Sequence, residues 1–62
     1  MLVKIIVKPI NDIWYKYKQG EIFNVKTIIH PYNKKKVFQV YNEVNRPTNL
    51  WIYPEHTEII QT

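Results

Sequence analysis

Histidine is the side chain best suited to acid–base work near neutral pH, and this chain has two, His30 and His56. His56 stands in the run "NLWIYPEHTEII", residues 49–60, between Glu55 and Glu58. A histidine beside a carboxylate can move protons. Hydrolysis also needs a nucleophile or a metal and an oxyanion donor, and no residue of this run marks either. The expectation is structural: Glu55 and His56 cap or line a tight turn. His30, His56 and Glu55 offer metal-binding side chains, but from separate loops and at a spacing that fits no common ligand pattern. No metal, cofactor or enzymatic activity is expected.

Two other constellations could carry a binding function. "NKKK", residues 33–36, gathers Lys34, Lys35 and Lys36 in one short stretch beside Tyr32. Such lysines meet phosphates in nucleic-acid binders; alternatively they form a solvated turn that guards strand edges from mispairing. "WYKY", residues 14–17, interleaves aromatics with lysine, and Lys18 follows. In an extended loop, alternation sends Trp14 and Lys16 one way and Tyr15 and Tyr17 the other. One pair packs on the body of the fold; exposed aromatics of the other serve as stacking platforms for bases or as interface anchors. The plainer alternative is that Trp14 covers the core and the tyrosines drape over it.

The elements that must position these residues follow from period-two patterning. "LVKIIVK", residues 2–8, sets Val3, Ile5 and Val7 against Lys4 and Lys8, the pattern of a half-buried strand. Pro9 stops it, because proline cannot donate to a ladder. Residues 9–20 form a long connection that ends at Gly20, the single glycine, which suits a position of positive φ. A second strand over 21–29 puts Phe23, Val25 and Thr27 on one face. Residues 30–36 read as a loop, 37–41 as a third strand, 42–49 as a turn and 50–53 as a fourth strand. Pro54 suits the first position of a helical turn over 54–57, and 58–60 can return as a short fifth strand. In the fourth strand, Leu50 and Ile52 fit the core, leaving Trp51 and Tyr53 outward, beside Trp14 and Tyr41. A shift of one residue would instead bury Trp51. All four prolines fall in loops of this scheme.

Sixty-two residues make one domain, 1–62, with little core to spare: a chain of this size buries only about 60% of its unfolded surface. Without cysteine there is no disulfide to help. A core rich in large aromatics, or self-association, must supply the stability. No segment reaches the about 20 apolar residues that a membrane span needs, and Lys4 and Lys8 break the only stretch that could pass for a signal peptide. A soluble protein is expected, a monomer or weak homo-oligomer without membrane contact. The net charge of +4 is uneven. Residues 1–36 hold eight lysines against Asp12 and Glu21, whereas residues 37–62 hold Arg46 against Glu43, Glu55 and Glu58. A basic half of this kind attracts nucleic acid or an acidic protein surface.

Five short strands in so short a chain hide their edges by curling into a small barrel. "YKQGEIFNV" resembles the long first loop and second strand of SH3-like barrels, where a glycine–acid pair starts the strand. "NLWIYPEHTEII" resembles their ending: a strand, a proline, one tight turn and a last short strand. It is also similar to small proteins of bacterial phages and prophages that end in an "IPxEHCEII"-like run. The abundance of Asn, Ile, Lys and Tyr, which points to AT-rich coding, agrees with low-GC bacteria and their phages. The resemblance implies an all-β, five-stranded SH3-like barrel with a long first loop and a short helical turn before the last strand. It also implies a binding module at work in the cytoplasm of a bacterial host.

Eukaryotic SH3 domains grip basic proline-rich peptides with acids of the long loop and a tyrosine three residues after the proline. Here Lys16 and Lys18 occupy the loop and Thr57 the tyrosine position, so that ligand is not expected. The expected partner is a host or phage protein, bound through an aromatic face rimmed with lysine; inhibition of that partner would suit such a surface. Trp14, Tyr15, Lys16, Tyr17, Lys18, Tyr32, Lys34, Lys35, Lys36, Tyr41, Trp51 and Tyr53 would form that face. The alternative is non-specific nucleic-acid binding through the same residues, since one arginine gives little base-edge readout.

Overall fold

The computed structural model describes all residues, 1–62. Alternating β-branched and aromatic residues form five antiparallel strands: β1 (Leu2–Ile5), β2 (Ile22–Ile29), β3 (Lys36–Tyr41), β4 (Pro47–Ile52) and β5 (Thr57–Gln61). They make one sheet in the order β4-β3-β2-β1-β5. Strand β2 belongs to both halves. Its first residues, Ile22–Asn24, pair with β1, and Val25–Ile29 pair with β3. The sheet splays where β2 changes partner. Strands β4 and β5 lie at opposite edges and do not pair with each other, so hydrogen bonds do not close the sheet. No helix is long and apolar enough to cross a membrane.

One face of each of β1 to β4, with residues of the first connection, supplies the core. Val3, Ile5, Tyr15, Val25, Phe38, Val40 and Ile52 form a single buried cluster, with Met1, Ile13, Trp14 and Phe23 packed against it. Val37, on the other face of β3 by alternation, is buried outside this cluster. Only nine residues are buried, so each of them matters more than it would in a larger domain.

Two expectations about strand ends and one about burial need correction. Strand β1 stops at Ile5 rather than Lys8, leaving Ile6 and Val7 exposed. The chain turns away because Glu21 and Gly20 close the ladder there: Ile5 N–H donates to Glu21 O at 3.0 Å and Gly20 N–H to Ile5 O at 2.8 Å. Strand β4 starts at Pro47, inside the expected turn. Proline is tolerated there because it opens an edge strand. Leu50 is 41% exposed while Ile52 is fully buried. The register of β4 against β3 is irregular between Gln39–Trp51 and Tyr41–Pro47, and alternation cannot be carried across a bulge.

The tight turns are set by side chains suited to them. In the β3–β4 turn, Asn42 Oδ1 accepts the N–H groups of Val44 and Arg46, each at 3.0 Å. Asn45 takes φ 59° there, a conformation that asparagine tolerates. Between Tyr53 and β5, a single 3-10 turn spans Pro54–His56. Proline starts it, and Thr57 ends it by donating both its N–H and its hydroxyl to Pro54 O.

Gly20 has φ +88°, and a Cβ added to it would meet no atom within 4 Å. Gly20→Ala therefore isolates the conformational cost of the left-handed region. It is expected to lower the unfolding free energy by about 1–2 kcal/mol. Urea denaturation checks this, and an unchanged midpoint would show that the β2 entry does not need the positive φ.

Candidate interaction surface

The long connection between β1 and β2 is folded into successive turns. Lys16 N–H donates to Ile13 O at 3.0 Å, Lys18 N–H to Tyr15 O at 3.1 Å and Glu21 N–H to Lys18 O at 3.1 Å. A turned backbone does not alternate like an extended one, so Tyr15 and Tyr17 part company. Tyr15 is completely buried, whereas Tyr17 is 74% exposed. Trp14 is half-buried and meets Tyr15 and Phe23 edge-on, with ring centroids 5.3 and 5.4 Å apart. Tyr15 thus belongs to the core and has no surface to offer a partner.

The Tyr15 hydroxyl is the polar centre of this region. It accepts the Tyr53 N–H at 3.1 Å and lies 2.6 Å from His56 Nδ1. The hydroxyl and the imidazole share one hydrogen bond, whose donor follows the tautomer of His56. The acid–histidine corner seen in the sequence is therefore a structural anchor, with one imidazole nitrogen already engaged. Burial pushes the Tyr15 pKa above 10.0; the Tyr53 N–H pulls it back in part, and the charge of Glu55 adds to the rise.

The same short segment, Trp51–His56, receives both loops. From the first connection, Trp14 Nε1 donates to Trp51 O at 2.8 Å. From the β2–β3 loop, the His30 ring packs on Trp51 in a T-shaped contact, centroids 4.6 Å apart, and Asn33 Nδ2 donates to Tyr53 OH at 3.3 Å. His30 also organises its own loop, since Nδ1 accepts the N–H groups of Tyr32 and Asn33 at 3.1 and 3.4 Å. His30 N–H donates to Lys35 O at 2.8 Å and Lys34 N–H to His30 O at 3.1 Å. This tight closure puts Lys34 at φ 61°.

No family model, curated protein or solved structure matches this chain. The surface is therefore read from its own residues.

Trp51 and Tyr53 are half-buried rather than fully outward, and Tyr32 is 85% exposed. Lys34, Lys35 and Lys36 are exposed on the same loop as Tyr32. Tyr41 makes no aromatic contact with Trp51; it lines a separate apolar groove with Ile22, Phe23, Val44 and Leu50, where β2 leaves β3. On the first connection, the ammonium groups of Lys8 and Lys16 lie 4.8 and 5.7 Å from the centre of the exposed Tyr17 ring. Lys18 faces Glu21 at 3.8 Å across an exposed turn. No three His, Asp or Glu side chains gather as a metal site would need.

Two residues of this surface, His30 and Asn33, escaped the sequence reading as loop organisers, and Lys8 escaped it as a neighbour of Tyr17. A histidine placed just before a proline-containing loop can accept the loop N–H groups as aspartate or asparagine does, and that is the signal His30 carried. Nothing in the spacing of Lys8 and Tyr17 marks their contact. The Trp51 indole N–H is shielded from solvent and has no hydrogen-bond acceptor, an uncommon and costly state for a buried donor.

Tyr15→Phe should lower stability by about 1–3 kcal/mol at neutral pH, because it strands the Tyr53 N–H and one nitrogen of His56. Its pH dependence has a defined sign. The folded state holds the Tyr15 proton above pH 10.0, where the unfolded chain releases it. The folded state then binds more protons, so stability falls as pH rises from 10.0 towards the raised folded pKa. Urea denaturation between neutral and alkaline pH should show a downward slope in the wild type that is shallower in Tyr15→Phe. Equal slopes would remove Tyr15 as the source.

Proposed function

We propose that this chain is a non-enzymatic interaction protein with an SH3-like arrangement of five strands. It binds a protein surface through Trp51, Tyr53 and Tyr32, with Lys34, Lys35 and Lys36 at the rim. The observation that carries this reading is the convergence of two separate loops on Trp51–His56. Aromatic side chains held on a rigid segment lose little entropy on binding and make strong anchors. Lysines beside them that face no carboxylate attract an acidic partner and speed its approach. Two locally costly features also lie on this face: the orphan indole N–H of Trp51 and the left-handed backbone of Lys34. Departures from local rules tend to collect at functional sites. The strand order β4-β3-β2-β1-β5 with a 3-10 turn before β5 agrees with the SH3-like likeness of the sequence. That likeness, with the "PEHTEII" ending, suggests a phage-type protein that acts on a host or phage protein, by inhibition where the covered surface is an active one, in a bacterial cytoplasm.

A second reading has its own support. Tyr17 is an exposed ring with two ammonium groups beside it, the composition of a site for a stacked base with its phosphates. Nucleic-acid binding through this loop would be non-specific and steeply salt-dependent.

Capture from bacterial lysate on the tagged chain separates the two readings, with nuclease treatment as a control. A protein partner should survive nuclease. Its affinity should fall tenfold or more in Trp51→Ala and several-fold in Lys34→Glu, the second effect shrinking at high salt. Tyr32→Ala, at a residue too exposed to hold the fold, guards against a loss caused by unfolding. Capture unchanged in all three variants would move the site elsewhere. Fluorescent single-stranded DNA or RNA bound at low salt, and lost in Tyr17→Ala, would favour the second reading instead.

A further inference from the structure

The β2–β3 and β3–β4 turns are each closed by one side-chain acceptor at the turn's first residue. In the β3–β4 turn it is Asn42, whose Oδ1 takes the N–H groups of Val44 and Arg46. In the β2–β3 turn it is His30, whose Nδ1 takes those of Tyr32 and Asn33. The likeness extends to the backbone. Asn42 N–H donates to Arg46 O and His30 N–H to Lys35 O, each at 2.8 Å. Each turn also holds one left-handed residue, Asn45 at φ 59° and Lys34 at φ 61°. The acceptors differ in one respect: an amide oxygen does not titrate near neutral pH, whereas an imidazole nitrogen does.

An imidazole that has taken a proton carries N–H on both nitrogens and accepts nothing. Pro31 has no N–H, so Tyr32 and Asn33 supply the first donors of the turn. Neither has another acceptor in the chain. The other side-chain bonds of this tip, Lys34 Nζ to Pro31 O and Lys35 N–H to Asn33 Oδ1, offer no replacement. Protonation gains no carboxylate in exchange. The loop carries Tyr32, Lys34, Lys35 and Lys36, and the segment packed against it carries Tyr53, Glu55 and His56; His30 forms no ion pair with Glu55 or any other acid. Trp51, on which the ring packs, also receives a cationic ring favourably. Acid therefore breaks the closure of the tip and not its packing on the strand end.

We propose that His30 is an acid-sensitive latch on the β2–β3 turn, closed while Nδ1 is bare and open once it carries a proton. The closed tip binds fewer protons than the open one. It is therefore favoured as pH rises and lost as pH falls through the ordinary range of histidine, about 6.5. Opening releases the backbone of Tyr32 and Asn33, lets Lys34 leave its left-handed φ, and loosens the bond of Asn33 Nδ2 to Tyr53 OH. The latch itself needs no partner. On the proposed reading of this loop as part of a binding face, the same step disassembles that face in acid. His56 is not a second latch, because protonation leaves it a donor to the Tyr15 hydroxyl and so keeps their bond.

Nitrogen and amide NMR of the full chain between about pH 8 and about pH 5, either side of the histidine range, tests the latch. At the upper end the His30 ring should be the Nε2–H tautomer. On acidification the Tyr32 and Asn33 amide signals should move along the titration curve of the His30 ring. Their exchange, measured against that of an unstructured chain at the same pH, should quicken tenfold or more. Val44 and Arg46, held by Asn42, should show neither change and report that the sheet stays folded. His30→Asn gives this turn the untitratable acceptor of the other and should keep Tyr32 and Asn33 protected at both ends of the range. An Nδ1–H tautomer at the upper end overturns the proposal. So do Tyr32 and Asn33 amides that ignore the titration of the ring, or a pH response of these amides that survives in His30→Asn. All of this is read on the free chain, so the latch and the partner-binding reading can fail independently.

Discussion

The Tyr15 hydroxyl is the interaction on which the rest of this fold depends. The sheet does not pair β4 with β5, so something other than a strand ladder must hold its two ends together. Tyr15 does this from the middle of the first connection. Its ring fills the core, and its hydroxyl reaches Tyr53 N–H at the end of β4 and His56 just before β5. Trp14, the preceding residue, bonds Trp51 O one step earlier on the same segment. Two adjacent aromatics thus pin a long connection to the strand end that the sheet itself leaves loose. In a chain with nine buried residues, a satisfied buried hydroxyl adds both stability and a unique arrangement.

That pinning also explains why the candidate binding residues gather where they do. Trp51 and Tyr53 stand at the end of β4, where His30 packs on Trp51 and Asn33 bonds the Tyr53 hydroxyl, and the half of each side chain left uncovered makes surface. His30 then supports Trp51 from the β2–β3 loop while its Nδ1 closes that loop on itself. The loop lysines are carried outward by this closure, and Lys34 accepts an unfavourable φ as a result. Rigidity of the support and exposure of Tyr32 and the lysines come from one set of contacts.

The regular strands were legible from β-branched and aromatic alternation: Val3 and Ile5, Val25 and Ile52 all point inward as read. Punctuation was legible where chemistry forces it, at Gly20 with its positive φ and at Pro54 opening the 3-10 turn. Alternation failed wherever the backbone is not extended. The turns over Ile13–Glu21 sent Tyr15 inward and Tyr17 outward, and the β4 bulge left Leu50 exposed. Neither leaves a mark in a period-two pattern, because each is set by distant partners: Tyr53 and His56 for Tyr15, Gln39 and Val40 for Thr48. Of the candidate site, the lysine loop and the Trp51–Tyr53 strand end were visible. The burial of Tyr15, the separation of Tyr41 and the supporting roles of His30 and Asn33 depended on tertiary contacts.

One segment therefore does two jobs, and this shapes how its residues can vary. Trp51, Tyr53 and His56 are ligands of the fold as much as candidates for contact, since each touches a loop that it also holds. Changing any of them alters support and surface together, and the two effects do not add simply. Tyr32, Tyr17, Lys35 and Lys36 carry no such duty: their side chains are exposed and bond no distant backbone. Under the proposed function, substitutions at these outer residues change the surface offered to a partner while the Tyr15-anchored frame stays fixed, so specificity can be tuned without disturbing a core of nine buried residues.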